Sequence, residues 1–244
     1  LWMENLEDVA FNDYPAALTE DMRGLRYLTC PNMVQSASRN HTPGVDNGGP
    51  FFSMNPFSSR CCQHNHAMGW PYYAQNLVLA SADGGAALLI YGDCTAQLKV
   101  ADGQEITIDE QTQYPFSEDI KVSISGLKKK TTATFPLYLR IPTWTEGAHI
   151  TVNGKTIDCK ATSGLLRINR DEVCLHFPMR LTKRVWALNK NSISVNYGPL
   201  TMSLKIAERY EKKDSRTTAI GDSHWQETAD PDKWPTYEIY ADSP

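Results

Sequence analysis

The chain has 244 residues, of which 41% are apolar, 10% aromatic and 21% charged, with 24 Lys and Arg against 28 Asp and Glu. This ordinary globular composition excludes disordered, collagenous and coiled-coil chains and allows a sizeable core in one or two domains. The net charge of −4 comes without a long basic run, and no apolar run approaches the ~20 residues that cross a bilayer, so neither nucleic acid nor a membrane is expected as a partner.

Helical patterns are confined to the first third of the chain. Apolar residues recur at helical spacing from Trp2 to Ala10 and stop before Pro15, which predicts an amphipathic helix. A second helix is predicted over Trp70–Ala82, with a proline in its first turn and two glycines after its end. Between the two helices, residues 29–66 are dense in Asn, Ser, Gly and Pro, and a loop of that length is uncommon unless it is functional.

From Gly85 onward the hydrophobic period changes to two, which is typical of strands. Short strands with close turns between them predict a mainly β chain folded as an antiparallel sandwich or jelly roll. The polar residues 207–236 are expected to form a long irregular segment outside the sheets. The predicted strands cover residues 87–91, 97–100, 105–108, 121–124, 135–141, 149–152, 165–168, 172–177, 192–197 and 200–206.

Two of these segments allow a sharper prediction. Asn153-Gly154 predicts a tight hairpin, because both residues tolerate the positive φ angles of a type I′ turn. In the segment 135–141, alternation separates a core face from a solvated face. The predicted core face holds Phe135, Leu137, Leu139 and Ile141, and the predicted solvated face holds Pro136, Tyr138 and Arg140.

Six cysteines in this length are too few for a disulfide scaffold. Cys94, Cys159 and Cys174 lie in or beside strand-like segments, where a free cysteine behaves as a small apolar core residue. Cys30 has no clear assignment.

The chemically informative stretch contains the adjacent Cys61 and Cys62. A vicinal disulfide is disfavoured, because Cα atoms ~3.8 Å apart are closer than those of an ordinary disulfide. In a strand, one thiol would be buried and the other exposed. In a turn, both could share a soft metal such as zinc, with His64 and His66 either as further ligands or as hydrogen-bonded loop residues.

Several motifs, at matching spacing, resemble the β-L-arabinofuranosidase family, glycoside hydrolase family 127. The resemblance spans nearly the whole chain, from a helix over Glu4–Asn12 to a last motif over Tyr240–Pro244. The motifs between them are Arg60-Cys-Cys-Gln-His-Asn65, Gly69-Trp-Pro71, Ala86-Ala-Leu-Leu-Ile-Tyr91, Thr112-Gln-Tyr-Pro-Phe116, Leu137-Tyr-Leu-Arg-Ile-Pro-Thr-Trp144, Val152-Asn-Gly-Lys155 and Tyr197-Gly-Pro-Leu200.

The resemblance implies a portion of a longer protein. Residues 1–82 would be the last part of an (α/α)6 toroid that forms the catalytic domain. Residues 83–244 would be a jelly-roll β-sandwich region of one or two interleaved sandwiches, cut at its C-terminal end. The switch of period at Gly85 agrees with this division. The missing N-terminal toroid segment is therefore an expected partner, because it would bury the apolar faces of the helices. A second copy of the chain in a homodimer is the alternative partner that could bury them.

The resemblance also implies a mechanism. Cys61 corresponds to the family's catalytic nucleophile and Cys62 to a zinc ligand, while the remaining ligands and the acid/base glutamate would lie upstream of this chain. Because a free thiol has a pKa of ~8.5, zinc coordination of Cys61 would hold it as a thiolate for a retaining double displacement. Zinc is thus expected in the full-length protein and weakly or not at all in this chain. Glu7 corresponds to a further active-site glutamate, or is one of several solvated acids.

The sequence departs from the family where Gln63 and His64 replace the usual proline, which puts the identity of the sugar in doubt. His64, Asn65, His66 and Trp70 are candidate substrate contacts, because imidazole and amide groups bond hydroxyls and an indole face packs on sugar C–H groups. Each has a structural alternative, which for Trp70 is core packing. A different class also stays open, a noncatalytic carbohydrate-binding sandwich that uses aromatic residues such as Trp144, Trp225 or Trp234.

Overall fold

The computed structural model describes residues 2–18, 20, 22, 25–26, 35–36, 52–53, 60–101, 103–126, 135–157, 165–168, 172–213 and 236–241. Side chains are described there except at residues 25–26, 35–36, 52–53, 60–64, 165–168, 213 and 236–239. The chain divides into two compact units. The first comprises Leu1–Asn12 and Trp70–Met202, and the second comprises Asp13–Gly69 and Ser203–Pro244.

The predicted N-terminal helix is confirmed as one helical segment in three parts, but its predicted end is wrong because the segment continues through Pro15 to Ala16. Helix α1 spans Trp2–Asp8, a π-helical stretch spans Val9–Asp13, and α2 spans Tyr14–Ala16. The prediction for the second helix is wrong at both ends, because α3 spans Arg60–Gln75. Its proline therefore lies inside the helix and not in the first turn. None of the described helices is long and apolar enough to cross a membrane.

Beyond the helices, the described residues are mostly β-strands, which confirms the predicted class. The strands are β1 Leu25–Arg26, β2 Gln35–Ser36, β3 Phe52–Ser53, β4 Leu79–Ala80, β5 Ala86–Leu88, β6 Cys94–Val100, β7 Gln104–Thr112, β8 Asp119–Ser125, β9 Leu137–Arg140, β10 His149–Val152, β11 Lys155–Ile157, β12 Leu165–Ile168, β13 Glu172–His176, β14 Leu181–Trp186, β15 Ser192–Tyr197, β16 Leu200–Met202, β17 Glu208–Lys213 and β18 Thr236–Ala241.

Within the described residues of the first unit, the strands form three sheets. A six-stranded antiparallel sheet has the order β11-β10-β13-β8-β7-β6. A four-stranded sheet has the order β12-β9-β5-β4 and includes one parallel pair, β5 with β9. A three-stranded antiparallel sheet has the order β14-β15-β16.

Buried side chains of the six- and four-stranded sheets form one hydrophobic core. In β7, β8, β10 and β13 buried residues alternate with more exposed ones, as the period of two predicts. Each fully buried aliphatic or aromatic side chain contributes about 1.5–3 kcal/mol by leaving water, so this core is the main source of stability in the first unit. The largest fully buried apolar side chains are Tyr91, Phe177, Leu88, Ile90, Ile108, Ile120, Leu137, Leu139, Ile150 and Leu175.

The segment 135–141 confirms one face of the prediction and corrects the other. Phe135, Leu137 and Leu139 are buried, and Ile141 is partly buried against the same core. The predicted solvated face is wrong, because Pro136 and Arg140 are also buried. A buried guanidinium requires a partner, which comes from the N-terminal helix as described below.

The predicted hairpin is confirmed by the register and by backbone angles. β10 pairs with β11 so that Val152 faces Lys155 across the turn. The two turn residues, Asn153 and Gly154, have φ angles of 45° and 75°. These positive values are those that a type I′ turn requires.

The side chain of Asn12 joins the three-stranded sheet to the helical segment. The amide of Asn12 donates to the Pro199 carbonyl at 3.0 Å, and its oxygen accepts from the Thr201 backbone N–H at 2.7 Å. Asn12, which lies in the π-helical stretch, thus joins the N-terminal segment to β16 and to the turn that precedes it.

In the second unit, the described strands form a pair, β1 with β3, and a three-stranded antiparallel sheet ordered β17-β18-β2. The prediction that residues 207–236 lie outside the sheets is therefore wrong at its start. β17 is a strand, and all six of its residues pair with β18. Residues 214–235, including Trp225 and Trp234, lie outside the described residues.

The remaining structural predictions concern cysteines and Trp144. Cys94 and Cys174 are free thiols on β6 and β13, but they are half-buried and so lie at the margin of the core. Cys30 and Cys159 lie outside the described residues. Trp144 is partly buried and meets the Phe177 ring edge-on at 6.4 Å, so it is a packing residue and not an exposed platform.

Candidate active site

Cys61 and Cys62 lie in the first turn of α3. Both backbone arrangements considered from the sequence, strand and turn, are therefore wrong. In a helix with 3.6 residues per turn, successive residues are rotated by about 100°, so the pair does not alternate across two faces as it would in a strand. The thiols themselves, and the side chain of His64, lie outside the described part of the chain.

Three further candidates follow on the same helix. Asn65 is exposed, whereas His66 is half-buried and stacks on Tyr14 with ring centroids 4.0 Å apart. Trp70 is 40% exposed and meets the Tyr73 ring edge-on at 5.7 Å. The core-packing alternative for Trp70 is therefore wrong, and its indole is accessible on the surface of α3.

Glu7 is the buried residue of α1, in an otherwise partly or fully exposed helix. Its carboxylate forms an ion pair with the guanidinium of Arg140. This contact explains why Arg140 is buried although alternation places it opposite the core face. Arg140 also donates from Nε to the Leu89 carbonyl, so the guanidinium is fixed from two sides.

Burial and pairing act in opposite directions on these two charges. Burial raises the pKa of Glu7, and the positive charge of Arg140 offsets part of that rise. Burial alone would lower the pKa of Arg140, but the Glu7 carboxylate raises it overall. The arrangement is a buried ion pair between α1 and β9.

Aromatic rings surround this ion pair. Phe11 meets Tyr73 and Tyr114 edge-on, with ring centroids 5.7 and 5.6 Å apart. The hydroxyl of Tyr91 donates to the Arg140 carbonyl. Burial raises the pKa of Tyr91 and of Tyr114, so both remain neutral phenols at any physiological pH.

Glu110 on β7 is a buried acid that the sequence analysis missed. It is 1% exposed, its Oε1 accepts the Gly92 backbone N–H at 2.9 Å, and burial raises its pKa to about 8. A signal for it exists, because Glu110 follows Ile106 and Ile108 at the period of two that defines the buried face of β7. Its cross-strand partner is Cys94, whose pKa burial raises to about 11, so this thiol is unreactive at neutral pH.

No group of three or more His, Cys, Asp or Glu side chains suited to a metal ion occurs among the described residues. The side chains of Cys61 and Cys62 are not among these described residues.

Three solved structures with a similar fold are glycoside hydrolases by their descriptions. One, called a glycoside hydrolase, is 23% identical with a TM-score of 0.65 and covers 82% of this chain and 33% of its own. A GH127 β-L-arabinofuranosidase from Geobacillus stearothermophilus T6 is 19% identical with a TM-score of 0.64, covering 98% of this chain and 43% of its own. A GH127 β-arabinofuranosidase is 17% identical with a TM-score of 0.63, covering 98% and 42%.

At these identities the structural likeness shows the fold alone, and this chain spans less than half the length of each of the three. No curated protein sequence matches the chain. Sequence-family models do match. The GH127 β-L-arabinofuranosidase catalytic domain matches residues 1–75, and the GH127 middle domain matches residues 86–179. The chain therefore belongs to the β-L-arabinofuranosidase family, glycoside hydrolase family 127, as the sequence motifs predicted.

Proposed function

We propose that the protein is a retaining glycoside hydrolase of the β-L-arabinofuranosidase type, acting on plant-derived glycans, and that this chain is an incomplete portion of it. The observation that carries the proposal is the adjacent pair Cys61 and Cys62 in the first turn of α3. This turn lies within residues 1–75, the segment that matches the family's catalytic domain.

The domain organisation is part of the proposal. Residues 1–82 form the last part of an (α/α)6 toroid, and residues 83–244 belong to a jelly-roll sandwich region. The middle-domain match, which begins at residue 86, supports a division near this point.

The donor set supports a zinc site shared with the missing part of the protein. Thiolate sulfur is a preferred zinc donor, and a zinc shell holds three or four protein ligands. Cys61 and Cys62 supply two of these, so the pair fits part of a shell, and the others come from upstream. Bound zinc would supply the charge that keeps the Cys61 sulfur deprotonated at neutral pH.

Cys61 is the nucleophile of the first displacement and the leaving group of the second. In the first, its sulfur forms a bond to the anomeric carbon while the glycosidic C–O bond breaks, and an acid outside this chain protonates the departing oxygen. In the second, the acid outside this chain, now a carboxylate, takes a proton from water as the water oxygen attacks the same carbon, the C–S bond breaks and the thiolate is restored. Two displacements at one carbon retain its configuration.

Substrate contacts are proposed from the helix that carries the cysteines. Asn65 and Trp70 are exposed, so an amide and an indole are available to a sugar, and His64 is the neighbouring imidazole. The ring of His66 is stacked on Tyr14, which leaves it the weaker candidate of the two histidines. Glu7 is also proposed as a substrate contact, on the basis of its correspondence to a family active-site glutamate. The ion pair with Arg140 gives this role no support, because it occupies the Glu7 carboxylate.

Two substitutions in the full-length enzyme test the assignment. Cys61→Ser should abolish turnover and leave most of the zinc, because Cys62 and the upstream ligands remain. Cys62→Ser should lose zinc and activity together. Full activity of Cys61→Ser would refute the nucleophile, and sugar binding without turnover by the unaltered protein would instead favour a noncatalytic binding sandwich.

The chain on its own should be inactive. It holds two thiol ligands, and its N-terminal helical segment exposes Trp2, Leu6 and Val9, which the missing toroid segment or a second copy in a homodimer would cover. Metal analysis and a chromogenic arabinofuranoside should therefore detect weak or no zinc and no hydrolysis. Stoichiometric zinc with turnover would show that the site is complete within these 244 residues.

A further inference from the structure

The interior of α3 contains two residues that weaken a helix. Gly69 and Pro71 are the poorest helix formers, and proline also removes one backbone hydrogen bond. The boundary between the two compact units falls beside them, between Gly69 and Trp70. The N-terminal part of α3, which begins at Arg60, must therefore be held by contacts outside its own hydrogen bonds.

Tyr14 provides such contacts, all within the second unit. Its ring stacks on His66 with an interplanar angle of 8° and centroids 4.0 Å apart. The Nε2–H of His66 donates to the Tyr14 carbonyl at 2.9 Å, and the Gly69 backbone N–H donates to the Tyr14 hydroxyl at 3.1 Å. Tyr14 is thus bonded to α3 through its backbone, its ring and its hydroxyl.

The close approach of Tyr14 explains why a glycine is present inside the helix. A Cβ atom at residue 69 would lie 2.8 Å or less from three atoms of the Tyr14 side chain, Cε2, Cζ and Oη. Because the ring is also stacked on His66, it cannot move aside without disturbing that contact. The absence of a side chain at Gly69 therefore allows the Tyr14 ring to pack directly against the helix.

We propose that His66 is a positioning residue, which together with Tyr14 and Gly69 holds the first turn of α3 in the place where Cys61 and Cys62 act. His66 follows Cys62 by four residues, one helical turn, so a displacement at His66 is transmitted directly to the cysteine pair. The inference rests on the proposed function for the role of the cysteines. It differs from the substrate-contact role considered for His66 above.

The test uses variants of the full-length enzyme. His66→Ala loses both the stack and the donor, His66→Gln keeps a donor for the Tyr14 carbonyl, and Gly69→Ala places a methyl group against the Tyr14 ring. Tyr72→Phe is the matched control, because Tyr72 is an exposed tyrosine of the same helix. Thermal unfolding midpoints identify any variant that has not folded, and His66→Phe, which retains a stacking ring, replaces such a variant.

Two readouts separate positioning from sugar binding. For His66→Ala and Gly69→Ala we expect kcat to fall roughly 10- to 100-fold with KM within about twofold, since a small misplacement of a reacting group has effects of that size. His66→Gln should recover part of kcat, and Tyr72→Phe should match the unaltered enzyme. A rise in KM at unchanged kcat for His66→Ala would overturn the inference in favour of a sugar contact.

The second readout does not depend on turnover. Alkylation rates of Cys61 and Cys62 by iodoacetamide, measured by peptide mass spectrometry with a chelator present, should change by about threefold or more in Gly69→Ala and not in Tyr72→Phe. Unchanged rates would overturn the inference even if the enzyme is an arabinofuranosidase. Changed rates together with a fully active Cys61→Ser would refute the proposed nucleophile and leave the positioning of the helix turn supported.

Discussion

Replacing Glu110 with glutamine should stabilise the protein at neutral pH, and the gain should grow as the pH rises. Burial raises the pKa of Glu110 to about 8 in the folded chain, whereas the ordinary glutamate pKa of 4.5 applies once the chain unfolds. Between these two values the folded state binds more protons than the unfolded state, so the free energy of unfolding falls as pH rises. A glutamine of the same shape does not titrate and escapes this loss.

The magnitude follows from the shift. Each unit of pKa difference corresponds to about 1.36 kcal/mol, so the acid costs about 3 kcal/mol at pH 7 and approaches about 5 kcal/mol above pH 8. Glutamine retains an oxygen for the Gly92 backbone N–H, which donates to Oε1 at 2.9 Å. Its amide nitrogen replaces Oε2, which has no hydrogen-bond partner among the described residues, so a penalty of about 1 kcal/mol applies at every pH.

Urea unfolding of the two proteins between pH 5 and pH 9, followed by far-UV circular dichroism, measures this difference. The control is Glu105→Gln, which removes an acid from an exposed position of the same strand. We expect the difference between Glu110→Gln and the unaltered protein to rise by about 4 kcal/mol across this range, and the control to stay within about 0.5 kcal/mol. A difference that stays constant with pH would refute the burial of a neutral Glu110.

Three further substitutions test the fold by the same unfolding measurement. Arg140→Met should destabilise by about 3–5 kcal/mol because it leaves the Glu7 charge buried and unpaired, and adding Glu7→Gln should restore much of the loss; no recovery would argue against their ion pair. Leu139→Ala should cost about 2–5 kcal/mol against less than about 0.5 kcal/mol for the exposed Leu181→Ala, and equal costs would contradict the assigned core. Gly154→Ala should cost about 1 kcal/mol because its φ of 75° is strained for alanine, and an unchanged midpoint would contradict the hairpin.

The sheets of the first unit were predictable because their signal is local. Alternation in the segment 135–141 and the pair Asn153-Gly154 depend on neighbouring residues only, and both predictions were confirmed on the buried face and in the turn. The strand β17, Glu208–Lys213, has no such signal, since it consists almost entirely of charged residues. Its partner is β18, and cross-strand pairing at that distance in sequence cannot be read from alternation.

The candidate site was predictable in its residue types and not in its geometry. The motif containing Cys61 and Cys62 identified the family. The sequence did not predict that the helix begins at Arg60, because the motif is surrounded by polar residues and followed by a proline at residue 71. The burial of Arg140 depends on Glu7, which is far away in sequence. Tertiary contacts decide both features, and no local pattern encodes them.

The most direct test of the account is to trap the covalent intermediate in the full-length enzyme. Rapid acid quenching during turnover of a β-L-arabinofuranoside, followed by peptide mass spectrometry, should find a pentosyl group on the peptide that contains Cys61, and none in Cys61→Ser. A pentosyl group on a carboxylate residue, or turnover with inversion at the anomeric carbon, would contradict the central claim that Cys61 is the nucleophile.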